Sequence, residues 1–251
     1  MDTTRFEGKA AIVTGASRGI GLAIAQRIVD EGGRVCLTAR KQEALDQAVA
    51  ALGPERAIAV AGKGDDTGHQ ESAVEATLEA FGRIDCLVNN AGINPVYGRL
   101  IDLDLGAARK IVEVNCLGAL SWTQRAYHRW MAEHGGSVVN VASVAGLGSS
   151  PGIGFYGASK AMLINMTRQL AVELGPSVRV NAVAPAVVKT DFAKALYAEG
   201  EEKVAQAYPL KRLGVPADIG SAVAFLLSED ASWMTGELVV LDGGVTLTRE
   251  R

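Results

Sequence analysis

Short runs rich in Ala, Val, Ile and Leu alternate along this chain with longer segments in which apolar residues recur every three or four positions. The short runs are AAIVTG (10–15), RVCLTA, RAIAVAG, IDCLVNNAG, SVVNVAS, VRVNAVAP and ELVVLDGG. Helical patterns lie between them: GIGLAIAQRIVDEGG with Ile20, Ile24 and Ile28 on one face, KQEALDQAVAAL, a segment capped by Asp66 or Thr67 and ending near Phe81, about 106–133, Tyr156 to Leu174, about 191–206 and about 217–228. Strands joined by helices must pair in parallel, and runs this apolar are buried on both faces. The expected architecture is α/β: a doubly wound parallel sheet of about seven strands with helices on both faces.

The 251 residues suit a single domain spanning 1–251, because no Pro/Ser-rich linker or shift of composition divides them. Aliphatic residues fill the core, since 48% of the chain is hydrophobic but only 5% aromatic. The segment 189–215 is polar, of mixed charge and less regular, and is read as a loop-helix insertion over the substrate side. A net charge of −3 without a basic run excludes a nucleic-acid face. Three cysteines, Cys36, Cys86 and Cys116, at unrelated spacings give neither a disulfide framework nor a zinc site, so buried thiols and no metal are expected. The start MDTTRFEGKA lacks the basic, long apolar pattern of a secretory signal, and no run approaches a membrane span. A cytoplasmic location is expected.

TGASRGIG, Thr14 to Gly21, falls between the first strand and the first helix. Glycines there permit a sharp turn and close approach, and the helix N-terminus beyond offers free N–H groups to a pyrophosphate, as in a Rossmann-like fold. The spacing is GxxxGxG, and a glycine-rich strand-helix turn alone is common. At the end of the second strand, Leu37-Thr38-Ala39-Arg40-Lys41 carries no carboxylate for a ribose 2′-hydroxyl. Arg40, with Arg18 from the glycine loop, suits a 2′-phosphate instead, which favours NADP(H) over NAD(H).

FYGASKA, Phe155 to Ala161, places Tyr156 and Lys160 four residues apart on one helical face. By itself the pair reads equally as an exposed helix turn or as two titratable groups held together. Ser143, alone, is as easily a cap, and Asn115 on an apolar helix face needs partners for its amide. Together with the glycine loop, NNAG (Asn89 to Gly92), Asn115 in VEVNCLG, and Ser143 thirteen residues before Tyr156, the pattern resembles the short-chain dehydrogenase/reductase family over nearly the whole chain, Gly8 to Gly244. GASRGIG, VNAVAP and the closing DGG resemble its 3-oxoacyl-carrier-protein reductase-like members.

The resemblance implies that Asn115, Ser143, Tyr156 and Lys160 form a catalytic tetrad. It implies that Gly15, Ser17, Arg18, Gly19, Ile20 and Gly21 hold the cofactor phosphates and ribose. Asn90 and Gly92 would lie along the cofactor, Val188 and Thr190 would reach the nicotinamide amide, and Tyr156 and Lys160 would also touch the cofactor. The implied reaction is NADP(H)-dependent reduction of a ketone, foremost a 3-oxoacyl thioester, with Tyr156 as proton donor. Lys160 would lower the tyrosine pKa and bond the nicotinamide ribose. Ser143 would position the substrate oxygen, and Asn115 would bend its helix and hold a proton-relay water. The chain would assemble as a homotetramer (or dimer) through the 106–133 and 156–174 helices and the C-terminal strand region. Alternatives are a dehydrogenase of a small secondary alcohol or ketone, and a nucleotide-binding scaffold without turnover.

Three departures accompany the resemblance. Pro185-Ala186 stands where the family has Pro-Gly, Lys63 stands near the expected adenine contact, and the two basic carrier-docking positions fall at His128, beside Arg129, and at Val172, before Glu173.

Overall fold

The computed structural model describes residues 4–198 and 200–248. Seven strands form one parallel sheet in the order β3-β2-β1-β4-β5-β6-β7. They are β1 (Ala10–Thr14), β2 (Arg34–Ala39), β3 (Ala57–Ala61), β4 (Cys86–Asn89), β5 (Gly136–Val141), β6 (Val178–Pro185) and β7 (Leu238–Leu241). The chain runs outward from β1 to β3, returns to β4 on the other side of β1, and continues to β7. The reversal leaves a crevice beyond the carboxyl ends of β1 and β4, the general ligand position in such sheets.

Helices α1 (Gly19–Asp30), α2 (Gln42–Leu52) and α9 (Pro216–Leu227) cover one face, around a core containing Val13, Ile24, Leu37, Val139, Val183 and Val223. Helices α3 (Thr67–Phe81), α4 (Leu105–Val112), α5 (Gly118–Ala126), α6 (Ala132–His134) and α7 (Gly154–Leu174) follow the remaining connections. Trp122, Ile12, Leu87, Met131 and Val180 belong to the core of that second face. A Cβ on Gly220 would lie 2.8 Å from the Ala23 carbonyl oxygen, so glycine lets α9 approach α1 this closely. The three thiols are buried, and burial pushes Cys36 up to about 11 and Cys86 up to about 12.

Asp66 caps α3, accepting the His69 N–H at 2.8 Å, and resolves the Asp66/Thr67 alternative. The long 106–133 helix is present with two π-helical stretches, Glu113–Leu117 and Tyr127–Met131. Each takes up an extra residue in the turn, which apolar periodicity does not encode. The expected 191–206 helix is not formed. Among the described residues, a 3₁₀ turn, Lys194–Tyr197, and a short helix α8, Glu201–Ala205, stand there instead, with Gly200 at φ 130 directly before α8. The 189–215 segment is tied down by a parallel bridge between Val188 and Gly214 and by a small cluster of Tyr208, Leu213 and Val245.

Candidate active site

The turn after β1 is built for tight packing. Gly15 and Gly19 take φ 64 and 59, a region that other residues enter at a cost. A Cβ on Gly21 would lie 2.5 Å from the Gly15 carbonyl oxygen and 2.6 Å from Asn90 Nδ2. Asn90 itself is spent on this turn: its Nδ2 donates to Thr14 O at 2.8 Å and Gly15 O at 3.1 Å. Thr14 Oγ1 accepts the N–H groups of Asn90 and Ala91, both at 3.0 Å. The Asn90 amide thus braces the glycine loop from β4, and its donors face protein carbonyls rather than the crevice.

Arg18, extended at φ −167, precedes α1 and caps it with no side-chain hydrogen bond, and the first turn carries no acidic residue. The first N–H groups of a helix lack internal partners. This end of α1 therefore fits a phosphate in donor set and in sign. Ser17 and Ile20 sit half-buried in the same loop. The Arg18 side chain lies 3.5 Å from the carboxylate of Asp191, and Thr190 Cγ2 would sit 3.3 Å from a Cβ on Gly19, so residues 190–191 reach over the loop. Val188 is buried, and its carbonyl accepts from Thr190 Oγ1 at 3.2 Å. Arg40 is exposed beyond β2 and pairs with nothing among the described residues.

At the other end of the crevice, α4 passes through its π-helical stretch and carries Asn115, 1% exposed. Asn115 Oδ1 accepts Ile93 N–H at 2.8 Å, and its Nδ2 donates to Ile93 O at 3.0 Å and to Ser159 Oγ at 3.1 Å. Ser159 Oγ donates to Tyr156 O at 2.7 Å. The amide thereby links the 93 loop to the first turn of α7. Gly92 lies between: a Cβ there would come 3.3 Å from Lys160 Nζ and 3.4 Å from Asn115 Oδ1.

Lys160 is 3% exposed and donates to Val141 O at 2.8 Å. Burial pulls its ammonium down to about 8, while the nearby Cys116 opposes the change. Its Nζ stands 5.6 Å from the centre of the Tyr156 ring. Burial pushes the Tyr156 phenol up to about 12, and a hydrogen bond with Ser143 opposes that. The lowering of the Tyr156 pKa by Lys160 expected from the resemblance is not seen in this geometry: desolvation raises the phenol, and Ser143 rather than Lys160 opposes it. Ser143 Oγ caps the following 3₁₀ turn by accepting Ala145 N–H at 3.1 Å and lies 3.5 Å from Pro185 O at the end of β6, so the turn and β6 both hold it. A Cβ on Gly157 would come 2.5 Å from Ala145 O, so glycine lets α7 press against the Ser143 turn.

Ser143, Tyr156, Lys160 and Asn115 are thus assembled at one place, with Gly92 beside them. The bracing roles of Thr14, Ser159 and Gly157 are legible only in part. Ser159 lies on the same buried helix face as Lys160, which is the one signal the chain offers for it. Phe192 joins the site with no signal in the chain: it is 58% exposed, and its ring centre lies 6.1 Å from that of Tyr156. Ala186 replaces the family glycine without strain, since Lys211 is the only non-glycine residue with positive φ among the described residues.

A family model described as enoyl-(acyl carrier protein) reductase matches residues 15–246. The chain belongs to the short-chain dehydrogenase/reductase family. Within this family it is 40% identical to dehydrogenase/reductase SDR family member 4 of Caenorhabditis elegans over 250 residues, 96% of each chain. It is 39% identical to the human protein of that name over 244 residues, 94% of this chain and 87% of the other. A Brucella melitensis structure described as a short-chain dehydrogenase/reductase, glucose/ribitol dehydrogenase, superposes with a TM-score of 0.92 at 34% identity, covering 97% of this chain and 98% of that one. Short-chain dehydrogenase/reductases are oxidoreductases that use nicotinamide nucleotides and small-molecule substrates, and both the tight glycine turn and the Gly92 cradle fit such a cofactor. Among the described residues no helix is long and apolar enough to cross a membrane.

Proposed function

We propose that this chain is an NADP(H)-dependent carbonyl reductase in which Tyr156 gives the proton. The observation that carries the reading is the packing of Tyr156 with the buried Lys160, whose Nζ lies 5.6 Å from the phenol ring, on a helix pressed through Gly157 against the Ser143 turn. A bound nicotinamide nucleotide supplies the hydride. Gly15, Ser17, Arg18, Gly19, Ile20 and Gly21 would hold its phosphates, Arg40 and Arg18 a 2′-phosphate, and Gly92, Val188, Thr190, Tyr156 and Lys160 its nicotinamide half. Asn90 acts behind this site as the brace of the glycine loop.

With its pKa near 12, Tyr156 keeps its proton at neutral pH, as a donor must. Ser143 Oγ shares the substrate oxygen with Tyr156 and fixes its position. Lys160, charged below about pH 8, stabilises the tyrosinate left after proton transfer. Asn115 fixes the 93 loop and the first turn of α7, so all four groups keep their spacing.

The foremost substrate class is a 3-oxoacyl thioester. A small apolar ketone is the second reading, and two observations favour it. Tyr97, Leu100, Ile101, Phe192 and Leu196 expose apolar side chains on the 97–101 and 192–196 segments. Arg129, beside the expected carrier-docking position, is paired with Glu75 on α3. A homotetramer would use the exposed Leu117 of the α4–α5 connection and Met162 and Val172 of α7. NADPH and NADH oxidation with acetoacetyl-CoA, 3-oxoacyl carrier protein and simple ketones tests the reading: turnover preferring NADPH supports it, and equal use of both nucleotides overturns the cofactor part.

A further inference from the structure

We propose that Lys63 is a determinant of cofactor choice, reading the 2′-phosphate together with Arg40 from the neighbouring strand. This rests on the NADP(H) reading above and names a further residue for it. Strands β2 and β3 pair in parallel with Ala39 opposite Ala61, and Gly62 N–H continues the ladder to Ala39 O at 2.9 Å. Arg40 and Lys63 therefore leave two adjacent strand ends, roughly 5 Å apart in the pairing direction. Both are exposed, and neither makes a side-chain hydrogen bond or ion pair among the described residues.

The carboxylates nearby are otherwise engaged. Asp65 is held by Lys110 and feels Lys63 only as a lesser influence, and Asp66 caps α3. No acid thus neutralises the Arg40–Lys63 pair directly. The ribose of a dinucleotide lies at the carboxyl end of the second strand. An ammonium offers three donors and no acceptor, so Lys63 cannot receive the adenine amino group. The adenine ring nitrogens could accept from it but are neutral, whereas a doubly charged phosphate ester also answers the charge that Lys63 and Arg40 share. The guanidinium fork of Arg40 and the point charge of Lys63 then take the phosphate from two sides, with Arg18 across the crevice.

Calorimetric titration with 2′,5′-ADP and 5′-ADP at low salt separates this inference from the reading beneath it. The wild type binds 2′,5′-ADP more tightly. Lys63→Met loses roughly 5- to 20-fold for 2′,5′-ADP and less than about twofold for 5′-ADP, as expected for one charge-assisted bond. Lys63→Arg keeps the charge and restores the preference. Unchanged binding in Lys63→Met, or equal losses for both nucleotides, overturns the role of Lys63 while NADP(H) dependence stands. Equal affinity of the wild type for the two ligands overturns the NADP(H) reading itself.

Discussion

Asn115 and Ile93 close a two-bond ring, Ile93 N–H to Oδ1 at 2.8 Å and Nδ2 to Ile93 O at 3.0 Å. The ring uses the whole carboxamide as a substitute strand partner for one loop residue. Removing it strands a backbone donor and acceptor. Asn115→Leu should cost about 1–3 kcal/mol in urea unfolding. Because the same amide reaches Ser159 and, through it, the first turn of α7, turnover should fall as well, by more than about tenfold. Lost stability with unchanged turnover would separate Asn115 from the catalytic spacing.

Lys160 carries a pH signature. Its pKa is about 8 in the folded chain against an ordinary 10.5. Between those values the unfolded chain binds a proton that the folded chain does not, so the Lys160 contribution to stability rises with pH. At pH 7 the buried ammonium disfavours the fold by on the order of 3 kcal/mol. Lys160→Met also loses the hydrogen bond to Val141 O, so the slope and not the offset is diagnostic. The stability of wild type relative to Lys160→Met should rise from pH 7 to 10.5 and then level off. A difference independent of pH contradicts the buried-ammonium assignment. Taking the difference removes Cys36 and Cys86, which act oppositely above pH 9 in both proteins.

Gly157 and Gly154 are a matched pair on α7. A Cβ at Gly157 meets Ala145 O at 2.5 Å, whereas one at Gly154 meets nothing nearer than Leu100 Cβ at 3.8 Å. Gly157→Ala should displace the Ser143 turn, cost about 1–3 kcal/mol and depress kcat. Gly154→Ala should leave activity within about twofold and gain slightly in stability. Equal behaviour in thermal melts and steady-state kinetics would remove the close-approach role of Gly157.

Arg40→Ala should lower kcat/KM for NADPH by about 10- to 100-fold and leave NADH nearly unchanged, the difference expected from a charge-assisted guanidinium–phosphate contact. Parallel losses for both nucleotides would place Arg40 outside the 2′-phosphate site.

Much of the fold is legible in the chain because strands buried on both faces must be continuous and apolar, as RVCLTA and VRVNAVAP are. The Asp66 cap is legible because the side-chain oxygen has a fixed local target, His69 N–H. The structure departs from the expected 191–206 helix because Gly200 and the local tie of Tyr197 Oη to Thr190 O decide that segment, and neither has a periodic signature. The π-helical turn under Asn115 is similarly silent, since one extra residue scarcely shifts the apolar pattern over a single turn. The glycine loop and the Ser143–Tyr156–Lys160 spacing stand out because their residue types are fixed by chemistry. The bracing use of Asn90 depends on β4 lying next to β1, which only the sheet order shows.

The most direct measurement is single-turnover NADPH oxidation by Tyr156→Phe against wild type, with a ketone that the wild type reduces, alongside NADPH binding to both. The expected result is a loss of at least about 10³-fold in the rate of oxidation with nucleotide affinity within about threefold. Near-normal oxidation by Tyr156→Phe would contradict Tyr156 as the proton donor.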